Sequence, residues 1–124
     1  MMNNSLSGAQ TERLALLLEE MNEAGAIIGK ILRHGIDSFN PHDPEMETND
    51  SLLEKELGDV MLAMGLCVAS GDIEGNSIVE HLFETACIKK QRYLHHSENI
   101  AILQDVAISY KYMNEDSYYW KWSI

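Results

Sequence analysis

Apolar residues in the first third of the chain recur at helical spacing. They occupy positions 14, 17, 18, 21, 24, 28, 31 and 32, which fall on one face of a helix. Ser7 and Gln10 have the spacing of a capping box, and Gly35 suits the end of a helix. The pattern therefore predicts a first helix from about Ser7 to about Gly35.

Two further helices are predicted after a long polar loop. Residues 36–50 contain both prolines of the chain and no regular period, which indicates a loop of a length that is often functional. Ser51 and Ser77 are each followed three residues later by a glutamate, which is the pattern of a capping box. We therefore predict a second helix over about 51–70 and a third over about 77–96.

The C-terminal quarter of the chain fits two patterns. Apolar positions 103, 106, 107, 110 and 113 suit a fourth helix, which we favour. Alternation at 106, 108, 110 and 112 also suits a strand that "MNEDS" would turn back on "YYWKWSI" as a hairpin. The elements predict an all-α helical bundle of three to four helices. We assign residues 1–97 to the main domain, and 98–124 to an extension that packs on the bundle or on an oligomer partner.

Composition and charge narrow the class of protein. A formal net charge of −11 argues against nucleic-acid binding, because phosphate backbones favour Lys and Arg. The longest apolar run, 60–69, is about half the length of a membrane span, and the N-terminus lacks the features of a signal peptide. We expect a soluble cytoplasmic protein that contacts no membrane, with Cys67 and Cys87 as buried thiols in helices.

Five acidic residues occur where an apolar stripe is expected. Glu19, Glu20 and Glu23 share one arc of the first helix, and Glu56 and Asp59 form an i, i+3 pair on the second. Like charges at this spacing repel, and a partly buried carboxylate must be protonated, paired or bound to a cation. Facing acid pairs would form an all-oxygen site suited to Mg²⁺ or Mn²⁺. The alternative is a solvated acidic face.

The two acid motifs carry a family resemblance. "EEMNE" at 19–23 and "ELGD" at 56–59 resemble the signature of the MazG-like all-α nucleoside triphosphate pyrophosphohydrolases of the small phage and bacterial type. "GKILRHG" and "KKQRYLHH" extend the resemblance over residues 6–97, although the gap between the motifs is longer than usual and contains a loop. The resemblance implies hydrolysis of an NTP or dNTP to a monophosphate and pyrophosphate, with Mg²⁺ or possibly Mn²⁺ as cofactor. It also implies a homodimer, with a tetramer as the alternative.

The same resemblance implies roles for ten residues by motif position. The catalytic set is Glu19, Glu20, Glu23, Glu56 and Asp59. Within that set the metal ligands would be Glu20, Glu23, Glu56 and Asp59, while Glu19 would support the ligands or orient the attacking water. The expected substrate-binding residues are Lys30, His34, Lys89, Arg92 and Tyr93. Helical spacing places Lys30 two turns beyond Glu23, within reach of a bound triphosphate, although a solvated lysine is the simpler alternative.

Two other classes of protein are alternatives to a pyrophosphohydrolase. A di-iron carboxylate bundle requires Glu-x-x-His motifs, and the sequence has none. A non-catalytic acidic helical interaction protein derived from the same fold stays open, and the aromatic segment "YYWKW" is the feature that favours it.

Overall fold

The structure, a computed structural model, describes residues 4–82, 84, 89 and 92–116, with side chains up to residue 110 except that of residue 107. Its four helices are α1 (Gly8–His34), α2 (Asn49–Ala69), α3 (Gly75–His81) and α4 (Ser97–Asp116). The predicted all-α class is confirmed. The chain forms two compact units, Met1–Asp72 and Ile73–Ile124, which are treated separately below. The division of the chain at residue 97 stays a prediction.

Helix α1 begins and ends where the sequence predicts. The Ser7 hydroxyl accepts a hydrogen bond from the Gln10 backbone N–H at 3.1 Å, and the Gln10 side chain accepts one from the Ser7 N–H at 2.9 Å. Gly35 closes the helix with φ at 100°, and its N–H donates to the Ile31 carbonyl at 2.8 Å. Glycine adopts this conformation without the steric cost that a side chain would add.

The loop between α1 and α2 is hydrogen-bonded internally. Asp43 organises it, because its two carboxylate oxygens accept from the backbone N–H groups of Glu45 and Glu47 at 3.0 and 3.1 Å. Phe39 and Thr48 form an isolated antiparallel bridge that draws the two ends together. The segment is therefore a closed loop with its own packing, as is common for loops that carry function.

The start of α2 corrects the sequence prediction. The helix begins at Asn49, so the capping box predicted at Ser51 is wrong. The N–H of Asn49 donates to the Ser38 carbonyl at 2.8 Å, and that of Asp50 to the Ile36 carbonyl at 2.9 Å. Loop carbonyls thus accept hydrogen bonds from the first N–H groups of the helix, whereas the prediction assigned this capping to the Ser51 side chain.

Helices α1 and α2 run antiparallel. Arg13, near the start of α1, meets Asp72, just beyond the end of α2, whereas Gly35 at the end of α1 meets Asn49 at the start of α2. The Arg13 guanidinium donates two hydrogen bonds to the Asp72 carboxylate, at 2.6 and 2.9 Å. Such a two-pronged contact fixes the geometry of the pair as well as its charge balance.

Small residues fill the buried part of the structure. The buried apolar residues in the described ranges are Ala24, Ala63, Cys67 and Val68. Cys67 is a fully buried free thiol, as predicted, while Cys87 lies outside the described residues. Side chains as small as Ala24 and Ala63 let α1 and α2 approach closely, which also brings their polar neighbours near one another.

The second unit departs from the prediction in α3. This helix begins at Gly75, because the Ile78 N–H already bonds to the Glu74 carbonyl at 3.3 Å, so the capping box predicted at Ser77 is wrong. Residues 92–96 are turn and irregular backbone, so the predicted continuous helix to His96 is wrong as well. The Arg92 N–H bonds to the carbonyl three residues earlier, which closes a turn where a helix would continue.

The fourth predicted helix is confirmed. Helix α4 continues to Asp116, so the hairpin turn considered at "MNEDS" is helical as far as that residue, and the hairpin is wrong there. The aromatic segment "YYWKWSI" lies outside the described residues. None of the described helices combines the length and the apolar character that crossing a membrane would require.

Candidate functional site

Three carboxylates from α1 and α2 converge. Glu20 lies on α1, and Glu56 and Asp59 lie one turn apart on α2. One oxygen atom from each residue can be chosen so that all three atoms lie within 4.8 Å of one another. The i, i+3 spacing on α2 points both acids to one side, and the antiparallel packing sets Glu20 opposite them. We call Glu20, Glu56 and Asp59 the acid cluster.

Two oxygen atoms of the acid cluster are buried without partners. Within the described residues, no hydrogen bond reaches Oε2 of Glu20 or Oε2 of Glu56. The ion pairs found in the same residues use other acids, Asp72 and Glu47. An unpaired buried carboxylate oxygen costs free energy, because it has lost its water and gained nothing in return. A bound cation would supply a partner for these two oxygens.

The electrostatics of Glu20 involve all five acids. Burial raises the pKa of the Glu20 carboxyl above its ordinary value of 4.5. The negative charges of Glu23, Asp59, Glu56 and Glu19 raise it further, in that order. The acids that the sequence suggested as a group are thus close enough to oppose one another's ionisation.

Glu56 shows the same behaviour with a second cause. Burial again comes first in raising the pKa of its carboxyl, followed by a hydrogen bond with Glu23 and by the charges of Glu23 and Asp59. The contact with Glu23 leaves the Oε2 atom of Glu56 unpaired. A cation bound beside Glu56 would favour the ionised form of its carboxyl.

The remaining two acids occupy the exposed side of α1. Glu19 and Glu23 are exposed and line a shallow groove of about 450 Å³. The rest of that groove is formed by Ala15, Leu18, Asn22 and Ala26. Glu23 thus connects the acid cluster to the groove, whereas Glu19 acts on the cluster through its charge. The ligand role of Glu23 and the supporting role of Glu19 stay predictions.

The acid cluster fits a divalent cation that prefers oxygen. Mg²⁺ binds oxygen ligands at about 2.0–2.1 Å, so ligands on opposite sides of the ion lie about 4.2 Å apart. The oxygens of the cluster lie within 4.8 Å, so small side-chain rotations suffice to close them on one ion. The set contains no nitrogen or sulfur donor, which favours Mg²⁺ or Mn²⁺ over Zn²⁺.

A cationic cavity lies at the loop end of the α1–α2 pair. Its volume is about 410 Å³, within the range of small-molecule sites. It is lined by Lys30, Arg33, His34, Ser38, Phe39, Asn40, Pro41, Asn49 and Leu52. Lys30 and His34, both expected to bind substrate, thus share one cavity. We call it the loop-end cavity.

The loop-end cavity and the acid cluster lie along the same helix pair. Lys30 follows Glu23 by seven residues on α1, and Asn49 precedes Glu56 by seven residues on α2. Because the helices are antiparallel, both steps run toward the loop, and each covers two turns, or about 10 Å. Seven residues also return nearly to the same helix face. A ligand with a phosphate chain and a ribose can bridge this separation.

The other three predicted substrate-binding residues belong to the second unit. Lys89 is helical, and Arg92 and Tyr93 form the turn that follows it. The helix predicted to carry all three residues does not continue through Arg92, because the backbone turns there. Their contact with a nucleotide stays a prediction.

The sequence interpretation missed several residues of the loop-end cavity, above all Asn49 and Phe39. A signal was present, since the loop length indicated function and Asn49 is in helical phase with Glu56. The helix predicted over about 51–70 excludes Asn49, so the prediction does not place Asn49 on the same helix face as Glu56.

Comparisons of this chain with protein-family models, with curated proteins and with solved structures found no match. The resemblance to the MazG-like family accordingly stays a prediction, and the function proposed below is argued from the residues of the chain.

Proposed function

We propose that this protein is a nucleoside triphosphate pyrophosphohydrolase that depends on Mg²⁺, with Mn²⁺ as a possible substitute. The observation that supports the proposal most is the pair of buried, unpaired oxygens on Glu20 and Glu56, beside the carboxylate of Asp59. Three acids held together without a basic partner are costly unless a cation occupies them. The cationic cavity two turns away supports an anionic ligand that extends from the acid cluster.

The proposed reaction consumes one water molecule per nucleotide. The water oxygen forms a bond to the α-phosphorus, and the bond from that phosphorus to the bridging oxygen toward the β-phosphorus breaks. Pyrophosphate leaves with the electron pair of the broken bond. The products are a nucleoside monophosphate and pyrophosphate, and the proton released from the water passes to a carboxylate or to solvent.

The acids of the two helices would hold the cation. Glu20, Glu56 and Asp59 supply converging oxygens, and Glu23 would join them through its contact with Glu56. When bound, divalent cations would neutralise phosphate charge and make a water molecule more acidic. Glu19, exposed beside Glu23, would orient the attacking water or accept its proton.

Residues of the loop-end cavity would bind the rest of the substrate. Lys30 lies nearest to the acids along α1, so its ammonium group would contact the phosphate chain. His34 lies one turn further on and would contact the ribose or the base. The cations of this cavity and the metal ions together would allow a chain with a net charge of −11 to bind a polyanion.

An incubation assay tests the proposal. The purified chain is mixed with each common NTP and dNTP in the presence of Mg²⁺ or Mn²⁺, and the phosphorus products are identified by NMR. We expect a monophosphate and pyrophosphate in equal amounts. Release of orthophosphate, or no turnover of any nucleotide by the folded protein, would contradict the proposal, and the second result would favour an interaction protein.

We also propose that the chain forms a homodimer, with a tetramer as the alternative. Large apolar side chains are exposed on both helices of the first unit: Leu18 is 62% exposed, Leu32 82% and Leu62 64%. Several such side chains on one helix pair favour burial against a partner. Light scattering during gel filtration should give at least twice the chain mass of 14.0 kDa, and a monomer at micromolar concentration would contradict this expectation.

A further inference from the structure

Asn49 presents a fixed hydrogen-bond acceptor beside the loop-end cavity. The residue is only 6% exposed, and it forms part of the cavity wall. Its Nδ2 atom donates to the Gly35 carbonyl at 3.1 Å, which fixes the orientation of the amide. Within the described residues no hydrogen bond occupies its Oδ1 atom. The start of α2 therefore holds an oriented amide in a residue that lines the cavity.

The charged groups around this acceptor are donors. Lys30 and Arg33 can only donate hydrogen bonds. Asn40 can donate through its Nδ2 atom, while its Oδ1 atom accepts from the His42 backbone N–H at 3.0 Å. The wall of the cavity thus combines several donors with the oriented amide of Asn49.

The other side chains of the cavity suit a flat ligand. Phe39 is 43% exposed and offers an aromatic surface on which a planar ring can stack. Ser38 and His34 can each donate or accept, so they do not change the pattern of donors and acceptors. A planar ligand rich in carbonyl oxygens and carrying one N–H fits this wall best.

We propose that Asn49 determines base specificity, by accepting a hydrogen bond from the ring N–H of uracil, thymine or guanine. In these bases the ring N–H lies beside a carbonyl oxygen, which matches an acceptor surrounded by donors. Adenine and cytosine present a bare ring nitrogen at the equivalent edge, and its lone pair would face the Asn49 oxygen. The proposal rests on the proposed function, since it makes the loop-end cavity the base site of the same nucleotide.

Binding of three monophosphates to the unmodified chain tests the proposal. The probes are dTMP, N3-methyl-dTMP, which lacks the ring N–H, and 5-methyl-dCMP, which replaces it with a bare nitrogen while keeping the 5-methyl group. We expect calorimetry to show that dTMP binds about tenfold to a hundredfold more tightly than either analogue, because a buried acceptor would lose its partner. Equal binding of the three probes, or no binding of dTMP at millimolar concentration, would overturn the proposal.

A variant then assigns the preference to Asn49. Asn49→Leu should bind dTMP more weakly and should discriminate less than about threefold between the three probes. Asn76→Leu, an exposed position on α3, is the matched control and should keep the full preference. Because Asn49→Leu also loses the bond to Gly35, its melting curve is recorded alongside. Binding of the three probes to the unmodified chain tests the base preference even if Asn49→Leu does not fold.

Hydrolysis separates this proposal from the proposed function. Pyrophosphate release is measured with dTTP and with 5-methyl-dCTP under the same conditions. Hydrolysis of both at equal kcat/KM would overturn the role of Asn49 and leave the proposed function standing. Selective binding of dTMP without turnover of any triphosphate would support the role of Asn49 and contradict the proposed function.

Discussion

Asp72, just beyond the end of α2, and Glu56, within α2, are acids in opposite electrostatic environments. The Asp72 side chain is 5% exposed, and the Arg13 guanidinium beside it lowers the pKa of its carboxyl below the ordinary value. Glu56 is partly buried without a basic partner, and its pKa is raised by burial and by its acidic neighbours. The Asp72 carboxylate has a cationic partner, whereas the Glu56 carboxylate has none in the described residues.

The difference makes the acid cluster a candidate ligand site. A chain that can place an arginine against Asp72 could have placed one against Glu20 or Glu56, and neither has one in the described residues. A structural role would be served at lower cost by apolar side chains of similar volume. The acid cluster is therefore a candidate for function, and the pair Arg13–Asp72 is a candidate for stability.

The largest expected effect is on activity. Glu56→Gln keeps the shape of the side chain but removes a charge from the acid cluster, so we expect kcat to fall about a hundredfold or more. Glu54→Gln removes a charge from an exposed position two residues earlier and should change kcat less than twofold. A pyrophosphate-release assay measures both variants. If Glu56→Gln kept full activity, the acid cluster would not be the catalytic site.

The second prediction concerns added metal. If Mg²⁺ binds the folded chain alone, a hundredfold excess over its Kd stabilises that chain by about 2.7 kcal/mol. Differential scanning fluorimetry with and without MgCl₂ should show this as a rise in Tm for the wild-type chain. In Glu20→Gln/Glu56→Gln the rise should disappear. An equal rise in both chains would place the metal elsewhere.

The third prediction concerns removal of the ion pair between Arg13 and Asp72. Arg13→Met keeps most of the apolar stem of the side chain but leaves the buried Asp72 carboxylate without its cationic partner, so Tm should fall at neutral pH. Lys55→Met removes the cation of an exposed pair with Glu47 and should lower Tm less. Neither change should reduce kcat in the temperature range where the protein is folded. Loss of activity without loss of stability in Arg13→Met would contradict the division of roles.

The smallest effect is a difference in the pH dependence of stability without metal. For Glu20 and Glu56 the folded pKa is raised, so their favourable contribution is full below the ordinary value of 4.5 and is lost as pH rises through the folded pKa. For Asp72 the folded pKa is lowered, so its contribution is present above 3.8 and is lost as pH falls through the folded pKa.

Glutamine substitution makes this difference measurable. In EDTA at neutral pH, Glu20→Gln/Glu56→Gln should melt at a higher temperature than the wild-type chain, because glutamine mimics the protonated acid. The advantage should shrink as pH falls through the raised folded pKa values toward 4.5, and it should be smallest below 4.5, where the wild-type acids are protonated in both states. Thermal melts at a series of pH values measure it. A variant less stable than wild type at neutral pH would show that the acids are satisfied without metal.

The comparison between prediction and structure is clearest at the helix starts. The start of α1 was predictable because its capping box is closed by Ser7 and Gln10, which are neighbours in sequence. The start of α2 was misplaced by two residues, because carbonyls of residues 36 and 38 satisfy its first N–H groups. Local hydrogen bonds can be inferred from spacing, whereas bonds that close a fifteen-residue loop cannot.

The candidate site divides in the same way. The i, i+3 spacing of Glu56 and Asp59 and the i, i+4 spacing of Glu19 and Glu23 place each pair on one helix face. Spacing alone could not show which α1 acids would meet the acids of α2: Glu20 completes the acid cluster, and Glu23 contacts Glu56. That choice depends on the rotation of α1 against α2, which the buried residues Ala24 and Ala63 help to set.

The amino-acid sequence by itself determined that the chain is helical, where α1 begins and ends, and which acids share a helix face, because these follow from interactions within a few residues. The tertiary structure decided which acids meet, which oxygens are left without partners, and that Lys30 and Asn49 share a cavity. These outcomes depend on how two helices pack and how a loop closes between them, and packing depends on the combined shape of residues far apart in sequence.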